Sequence, residues 1–440
     1  MSKGITPQNK SRLAFLFGLG SMTQIRIIGA MGITEAVCVF LSPFVFVNIW
    51  PKLSRTKGRK ILLFMLLWFL SAVLTDIYRK SSWDDALRGI FVLPFLFGVF
   101  VIAFALLWDD LMRIRWMVMG MAVSGIISIY YFRTQSLIGR AAETGMPVEE
   151  IIDFKMVYAG VLMLIIGVIT VFLHSRRPML VVFILLGASF IYLLQGYRNG
   201  FLTLLLCAGG AWLSTNRFFA LRKLQENALL LVSIAAIGGI MAMEIYTYSV
   251  QRGWLGESEL AKYEDQTDSS IGLLEGRAQF IASMFAIRDS PILGHGSWAV
   301  DRKGYGADMF RYIDDKDKME RYNSLAMKKA PWIPTHSHLW QAWVWHGFLG
   351  GMFWIYIFVL IVQYLKTGLH LCRPLIAYNL LLFIGASWDL FFSPFSQRPR
   401  WAMVFTIIAV TLTEVERRKR VAKLKGESDI NSPWSGIWHL

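Results

Sequence analysis

Long, uninterrupted apolar runs dominate the chain, and short polar stretches separate them. Residues 61–76 and 89–108 are two examples. A helix of about 20 apolar residues crosses the roughly 30 Å hydrocarbon core of a bilayer and satisfies its own backbone hydrogen bonds. The alternation of apolar and polar residues that a membrane β-barrel needs is not seen in the sequence. The pattern therefore predicts an all-α polytopic membrane protein.

Hydropathy and length together predict the individual spans. They are 33–50, 61–76, 89–108, 115–134, 156–174, 179–195, 199–215, 227–247, 339–365, 374–391 and 401–414. Residues 13–31 are also apolar but contain Arg26, and we interpret them as a short or tilted first span. The total is then about twelve spans, which puts both ends of the chain on the same side of the membrane.

Basic residues occupy every second connection between the predicted spans, as in 52–60 and in the tail. The positive-inside rule assigns these connections to the cytoplasm. The sequence then divides into N-terminal transmembrane helices (1–247), a large loop on the outer side (248–337), C-terminal transmembrane helices (338–414) and a basic cytoplasmic tail (415–440).

The composition fits this interpretation, because 55% of the residues are hydrophobic and only 17% are charged. A net charge of +15 would suggest nucleic-acid binding in a soluble protein. No DNA- or RNA-binding motif accompanies the charge, so we expect contacts with membrane lipid and no nucleic-acid partner. Cys38, Cys207 and Cys372 show neither metal-ligand nor disulfide spacing and are expected to be buried thiols.

The loop 248–337 is too long to lack structure in a compact protein, so it is expected to fold and to carry function. It contains Arg277, and it re-enters the membrane next to His336 and His338. Arg198 begins a span on the same side. Ionisable groups at a membrane boundary are candidates for function.

Each of these residues also has a structural interpretation. Arg198 could reach lipid headgroups, and Arg277 could pair with Glu275 or Asp268. Asp389, near the outer end of a late span, is a candidate acid or acceptor-binding group, or else a partner of Arg398 or Arg400. The tryptophans near the boundary fit an interfacial belt. Two of them, Trp298 and Trp332, could instead stack on sugars.

Two stretches resemble the O-antigen ligase family, which shares a domain with the O-antigen polymerases. The first, residues 275–296, has the family's Gly-Arg helix followed by a Pro-x-x-Gly-x-Gly turn. The second, residues 336–351, has a His-Ser pair, nine residues and Gly-x-x-Gly, which ends at Gly350. Gly351 stands where the family often has Thr. Arg198 in the sequence YRNG is a third, shorter match.

The resemblance implies a helical, membrane-embedded glycosyltransferase fold of the GT-C type in the bacterial inner membrane. It implies transfer of a preassembled glycan from undecaprenyl diphosphate to a sugar of the lipid A-core, in lipopolysaccharide biosynthesis. The large loop and the active site would face the periplasm. No metal, nucleotide sugar or other cofactor is expected, and the oligomeric state is not implied.

The chemistry assigns roles to the candidate residues. Arg198 and Arg277 would bind the diphosphate leaving group, because a planar guanidinium grips phosphate oxygens bidentately. A histidine would be the general base for the sugar hydroxyl in an inverting displacement. The motif spacing favours His336, and His338 remains a close rival. The rest of the predicted substrate-binding set is Ser337, Gln341 and Asp389.

Two other functions stay open from sequence alone. An O-antigen polymerase would use the same donor but another lipid-linked glycan as acceptor. A polytopic lipid or glycan transporter would also suit about twelve spans, although no internal repeat is visible in the chain. A scaffold or sensor role has no specific support.

Overall fold

The computed structural model describes residues 6–21, 24–26, 30–144, 158–215, 238, 241, 244–267, 278–328, 331–367, 374–393 and 397–424, although not every side chain within them. Nearly all of these residues are helical. The helices are α1 (Pro7–Leu19), α2 (Ile33–Leu53), α3 (Gly58–Arg79), α4 (Trp83–Leu107), α5 (Ile114–Thr144), α6 (Ala159–Leu173), α7 (Pro178–Leu194), α8 (Arg198–Thr215), α9 (Glu257–Thr267), α10 (Gln279–Asp289), α11 (Tyr305–Tyr312), α12 (Lys316–Lys328), α13 (His338–Thr367), α14 (Ile376–Phe392) and α15 (Gln397–Leu424). A 3₁₀ turn, Leu111–Arg113, leads into α5, and residues 244–251 are also helical.

Among the residues that the structure describes, five helical segments are long and apolar enough to cross a membrane: Ile33–Leu53, Gly58–Arg79, Trp83–Leu107, Leu111–Ile129 and His338–Lys366. Shorter apolar helices are Ala159–Leu173, Pro178–Leu194, Ile376–Phe392 and Arg400–Thr413. The prediction of an all-α protein with apolar spanning helices is therefore confirmed at this level. Most of the predicted span 227–247 lies outside the described residues.

Residues 13–31 do not form the single short span that was predicted for them. Helix α1 ends at Leu19, and the strands β1 (Gln24–Arg26) and β2 (Ala30–Gly32) form a small antiparallel ribbon before α2. Helix α1 instead packs very closely on α5, because a Cβ on Gly18 would lie 2.0 Å from the Met117 carbonyl oxygen. Close backbone contact of this kind requires glycine.

Apolar side chains lie both inside and outside the helical bundle. Helix α2 packs on α4, α3 on α13, α7 on α8, and α14 on α8, α13 and α15. The core between them includes the fully buried Trp354, Phe383 and Trp401. On the outer surface, Phe40 and Phe44 of α2 are 76% and 74% exposed. A water-soluble protein rarely shows such a continuous apolar face, whereas lipid chains match it.

The described part of the large loop forms a small subdomain with its own core. Helices α10 and α11 contribute Ile281, Ala286 and Met309 to that core, and α13 contributes Val344 and Trp345. The start of α11 is further fixed by the Asp301 carboxylate, which accepts hydrogen bonds from the backbone N–H groups of residues 304–306. Because α13 supplies Val344 and Trp345 to the core, the subdomain is attached directly to the first half of α13.

Candidate functional site

Helix α13 is broken at Gly347, whose φ of 69° and ψ of −159° are non-helical. A broken helix leaves backbone groups without their usual partners, which is tolerated at membrane depth only where protein or water supplies new ones. Here the loop after α10 supplies them. The His295 N–H donates to the Val344 carbonyl at 2.8 Å, and the Gly296 N–H donates to the Trp345 carbonyl at 2.9 Å.

The same contact continues on the far side of the break. The Phe348 N–H donates to the Ile292 carbonyl at 3.1 Å. The Ser71 hydroxyl of α3 donates to the His346 carbonyl at 2.6 Å. We call this contact, Ile292–Gly296 against Val344–Phe348, the junction. It joins the two stretches that carry the family resemblance.

Glycine is required at the junction for two reasons. Gly294 and Gly347 both have positive φ, 77° and 69°, which L side chains rarely adopt. The two backbones also touch, since a Cβ on Gly347 would lie 1.9 Å from the Ile292 carbonyl oxygen and one on Gly294 would lie 2.6 Å from the Gly347 nitrogen. These glycines therefore have a structural role that their motif positions alone did not reveal.

A buried chain of hydrogen bonds locks the junction to α3. The Trp68 indole lies 2.8 Å from His346 Nδ1. An indole N–H can only donate, so Nδ1 accepts and the neutral imidazole carries its proton on Nε2. Nε2 then donates to the Ser297 hydroxyl at 2.9 Å, and that hydroxyl donates to Asp76 Oδ2 at 2.7 Å.

This order of groups differs from that of a serine hydrolase. In a hydrolytic triad the histidine takes the serine proton and the carboxylate orients the histidine. Here the histidine donates to Ser297, and the serine proton is held by Asp76. The other oxygen of Asp76 accepts from the Ser297 N–H at 2.6 Å and the Ser81 hydroxyl at 2.7 Å. The chain is therefore a structural lock with no free nucleophile.

The C-terminal end of α3 holds the same loop at three further points. The Thr75 hydroxyl donates to the Leu293 carbonyl at 2.6 Å. Arg79 donates through Nε to the Gly294 carbonyl at 2.9 Å and through Nη2 to the Ser290 hydroxyl at 2.6 Å. The loop thus has one defined position against α3 and α13.

Among the titratable groups of the subdomain, His295 and Asp289 have lowered pKa values. Burial lowers the pKa of His295, whose Nε2 lies 2.8 Å from the Ala286 carbonyl and donates to it. Hydrogen bonds from Lys303 and from the Tyr305 hydroxyl lower the pKa of the Asp289 carboxyl. Because both pKa values are lowered in the fold, the folded subdomain is more stable at near-neutral pH than in acid.

A cleft of about 400 Å³ opens among α5, α6, α8, α14 and α15. The N-terminal end of α8 and the C-terminal end of α14 give it a polar mouth, and the remaining walls are mostly apolar. The mouth includes Tyr197, Asn199, Asp389 and Ser393; the apolar walls include Met121, Leu164, Tyr378, Leu381 and Phe405. From Tyr378 to Asp389 the lining of α14 extends over about 16 Å at 1.5 Å per residue. The cleft thus reaches about halfway through a hydrocarbon core of roughly 30 Å.

The two candidate histidines lie in different surroundings. His338, the first residue of α13, is 1% exposed, and its Nδ1 lies 2.9 Å from the Ser393 carbonyl. Since a carbonyl only accepts, Nδ1 carries a proton in this contact. His336 precedes the helix and is exposed. Ser337, between them, is buried and caps α13 by accepting from the Trp340 N–H at 2.8 Å.

Of the predicted arginines, Arg198 is placed beside the cleft and Arg277 lies outside the described residues. Arg198 is next to the mouth residues Tyr197 and Asn199. Its guanidinium lies 4.1 Å from the centre of the Tyr246 ring and 3.8 Å from the Glu259 carboxylate.

The other predicted residues have these positions. Asp389 lines the cleft mouth, and Gln341 is 9% exposed within α13. Arg400 forms a buried bidentate pair with Glu35, at 3.2 and 3.0 Å. The alternative in which Arg400 holds Asp389 is therefore wrong.

The tryptophan candidates cluster on the subdomain. The Trp298 ring lies 5.1 Å from that of Trp332 and 5.0 Å from that of Trp345. Trp332 is 47% exposed, so the cluster presents an aromatic face. Both the interfacial and the sugar-stacking interpretation remain open.

Sequence reasoning missed the residues that build the junction and much of the cleft mouth. Asp76 carried a signal, since an acid at the end of an apolar helix marks a functional or buried position. His346 lies inside the second motif stretch and had no signal beyond that. Its partner Ser297 is 49 residues away, and Trp68 is 278 residues away. Only the fold brings such residues together.

Fold and site together define the class: a mostly helical protein whose described residues include five helices long enough to cross a membrane, a broken helix and a cleft with a polar mouth. Within the described residues no group of three or more His, Cys, Asp or Glu side chains could hold a metal ion. Comparison with family models and with curated proteins finds no match to the chain.

Proposed function

We propose that this protein transfers a preassembled glycan from a polyprenyl diphosphate to a sugar of a lipid-anchored acceptor, as an O-antigen ligase does. In this proposal the fold is of the GT-C type with about twelve spans. The protein lies in the bacterial inner membrane with its site towards the periplasm, the donor is undecaprenyl-linked, and the acceptor is lipid A-core.

The cleft is the observation that carries the proposal. Its polar mouth suits a charged or glycosylated headgroup, and its apolar walls suit a hydrocarbon tail. Asn199 of α8 and Asp389 of α14 both line the mouth, and Arg198 is the sequence neighbour of Asn199. An amphipathic lipid donor needs a site with such a polar mouth and such apolar walls.

A fixed positive charge is needed to bind the diphosphate. Departure of a diphosphate is favoured by cations fixed in advance, and preorganised electrostatics is usually the largest catalytic contribution. We assign this role to Arg198, because it lies between the mouth residues Tyr197 and Asn199 in the sequence and because its guanidinium is fixed by the Tyr246 ring and Glu259.

Accessibility separates the roles of the two histidines. A sugar hydroxyl can reach the exposed His336, which we assign as general base. His338 is buried against the backbone of Ser393, a residue of the cleft mouth. We therefore assign His338 to positioning that wall of the cleft.

The broken helix α13 also raises a transporter, since broken helices line substrate sites in that class. In transporters the freed carbonyls coordinate ions. Here the carbonyls of Val344, Trp345 and His346 accept hydrogen bonds from protein groups. This favours a fixed junction over an ion site, and so favours the transferase.

Ligation from purified components tests the proposal. Protein, undecaprenyl-diphosphate glycan and lipid A-core are mixed, and ligated product is measured for wild type, Arg198→Ala and Arg277→Ala. Loss of one arginine donor should reduce the rate by about 10²–10³-fold. Arg252→Ala is the matched control, because Arg252 is exposed and contacts only the Tyr248 ring among the described residues.

The control should stay within about twofold of wild type, as surface changes usually do. Well-folded wild type that yields no product would contradict the ligase proposal. Lengthened lipid-linked glycan without acceptor would then indicate a polymerase. Donor moved across a vesicle bilayer would indicate a transporter.

A further inference from the structure

A second cavity, of about 600 Å³, lies on the surface of the bundle between α2, α3 and α4, away from the cleft. Its walls are almost wholly apolar, with Trp50, Leu62, Leu66 and Phe97 among them. Among the described residues that line it, Arg59 is the one that carries a charge. We call this cavity the Arg59 groove.

The size of the Arg59 groove matches one lipid chain in one leaflet. Its lining on α3 extends from Arg59 to Phe69, about 15 Å at 1.5 Å per residue. That is half of a hydrocarbon core of roughly 30 Å. Leu63 and Leu66 are each 53% exposed along this wall, so the groove is open to the surrounding membrane.

Charge at one end of the groove specifies the headgroup. Arg59 is exposed and makes no ion pair within the described part of the chain. Four more basic residues share its connection: Lys52, Arg55, Lys57 and Lys60. No Asp or Glu occurs anywhere between residues 36 and 75. A guanidinium with free N–H donors above an apolar groove fits the phosphate of an anionic lipid.

We propose that the Arg59 groove is a binding site for one anionic phospholipid, with an acyl chain between α2, α3 and α4 and its headgroup on Arg59. This site lies at the basic end of the helices, at the opposite end from the junction. It is independent of the proposed glycan transfer, and it would fix α2 and α4 against α3 from the membrane side.

Lipid retention by the full-length protein tests the site. The protein is placed in nanodiscs with equal phosphatidylglycerol and phosphatidylcholine, extracted in detergent, and its retained lipid is measured by native mass spectrometry. Wild type should retain phosphatidylglycerol selectively. Arg59→Gln should weaken that retention by about tenfold, the effect of one lost charge-assisted contact.

Arg177→Gln is the matched control, since Arg177 is also an exposed arginine at the basic end but does not line the groove. It should keep retention within about twofold. Leu66→Trp, which fills the groove without changing charge, should also reduce retention. An equal loss in Arg59→Gln and Arg177→Gln, or full retention in Leu66→Trp, would overturn the proposal in favour of bulk attraction to a basic surface.

Discussion

The junction and the cleft lie at the same end of the helical bundle, yet they use polar groups in opposite ways. At the junction, Asp76, Ser297 and His346 are at most 4% exposed, and each is hydrogen-bonded to a protein partner. At the cleft mouth, Asn199 and Asp389 line open space.

The difference shows that burial of a titratable group does not by itself identify chemistry. A buried polar group whose partners are all supplied by the protein rigidifies a fold and leaves nothing to react. A polar group facing a cavity can exchange its partner for a ligand. Changes at the junction should therefore remove stability and activity together, and changes at the cleft should remove activity alone.

The largest effect is expected from Gly347→Ala. An alanine there would need a left-handed backbone and would overlap the Ile292 carbonyl oxygen, so we expect a loss of about 2–5 kcal/mol in stability. Thermal unfolding in detergent measures it. In the control Gly187→Ala the new Cβ meets nothing within 4 Å. Equal stability of the two variants would contradict the described junction.

His346→Ala should be the next largest change. It leaves the buried Trp68 N–H without an acceptor, at about 1–3 kcal/mol, and it removes the hydrogen bond that the Ser297 hydroxyl accepts, while the bond from that hydroxyl to Asp76 stays. His346→Gln can accept from Trp68 and donate to Ser297, so it should recover part of the loss in thermal unfolding. In both variants the total transfer activity should fall in parallel with the folded fraction. A loss of activity larger than the loss of folded protein would instead make His346 part of the chemistry.

His336→Ala tests the proposed general base. We expect transfer to fall by about 10²–10⁴-fold, the usual contribution of a general base, with unchanged thermal unfolding. His338→Ala is its partner variant and should lower the unfolding temperature, because His338 holds Ser393. If His338→Ala abolishes transfer and leaves stability intact, the two roles are reversed.

The smallest effect that we expect is a pH dependence of the stability of the subdomain. The pKa of His295 is lower in the fold than its ordinary value because the ring is buried. The unfolded state therefore binds the proton first, and stability is lost as pH falls below about 6.5, by at most about 1.4 kcal/mol per pH unit. Asp289, whose pKa is also lowered, contributes only in a more acidic range.

Hydrogen exchange of residues 279–313 between about pH 7.5 and about pH 5.5, corrected for intrinsic rates, measures this dependence. His295→Gln should flatten it. An equally steep dependence in the variant would assign the effect to another group.

Much of the helical architecture could be predicted from the sequence. The predicted spans 33–50 and 61–76 correspond to Ile33–Leu53 and Gly58–Arg79, because continuous apolar residues make any other spanning structure unfavourable. The prediction for residues 13–31 was wrong as a single span, since hydropathy does not show that a chain turns back after Leu19.

The site was predictable only in part. Local sequence brought attention to Arg198, His336, His338 and Asp389, because charged or titratable residues stand out beside apolar runs. It did not show which of them face a cavity. It also could not show that Gly294 and Gly347, one from each motif stretch, meet in one backbone contact.

By itself the sequence determined the class of the protein: apolar length fixes helices that can cross a membrane, and charge distribution predicts which ends share a side. These are properties of local composition. The tertiary structure decided that His346 serves the lock, that His338 is buried and that Arg400 pairs with Glu35. Such outcomes depend on contacts between residues as far as 365 positions apart, which no local pattern encodes.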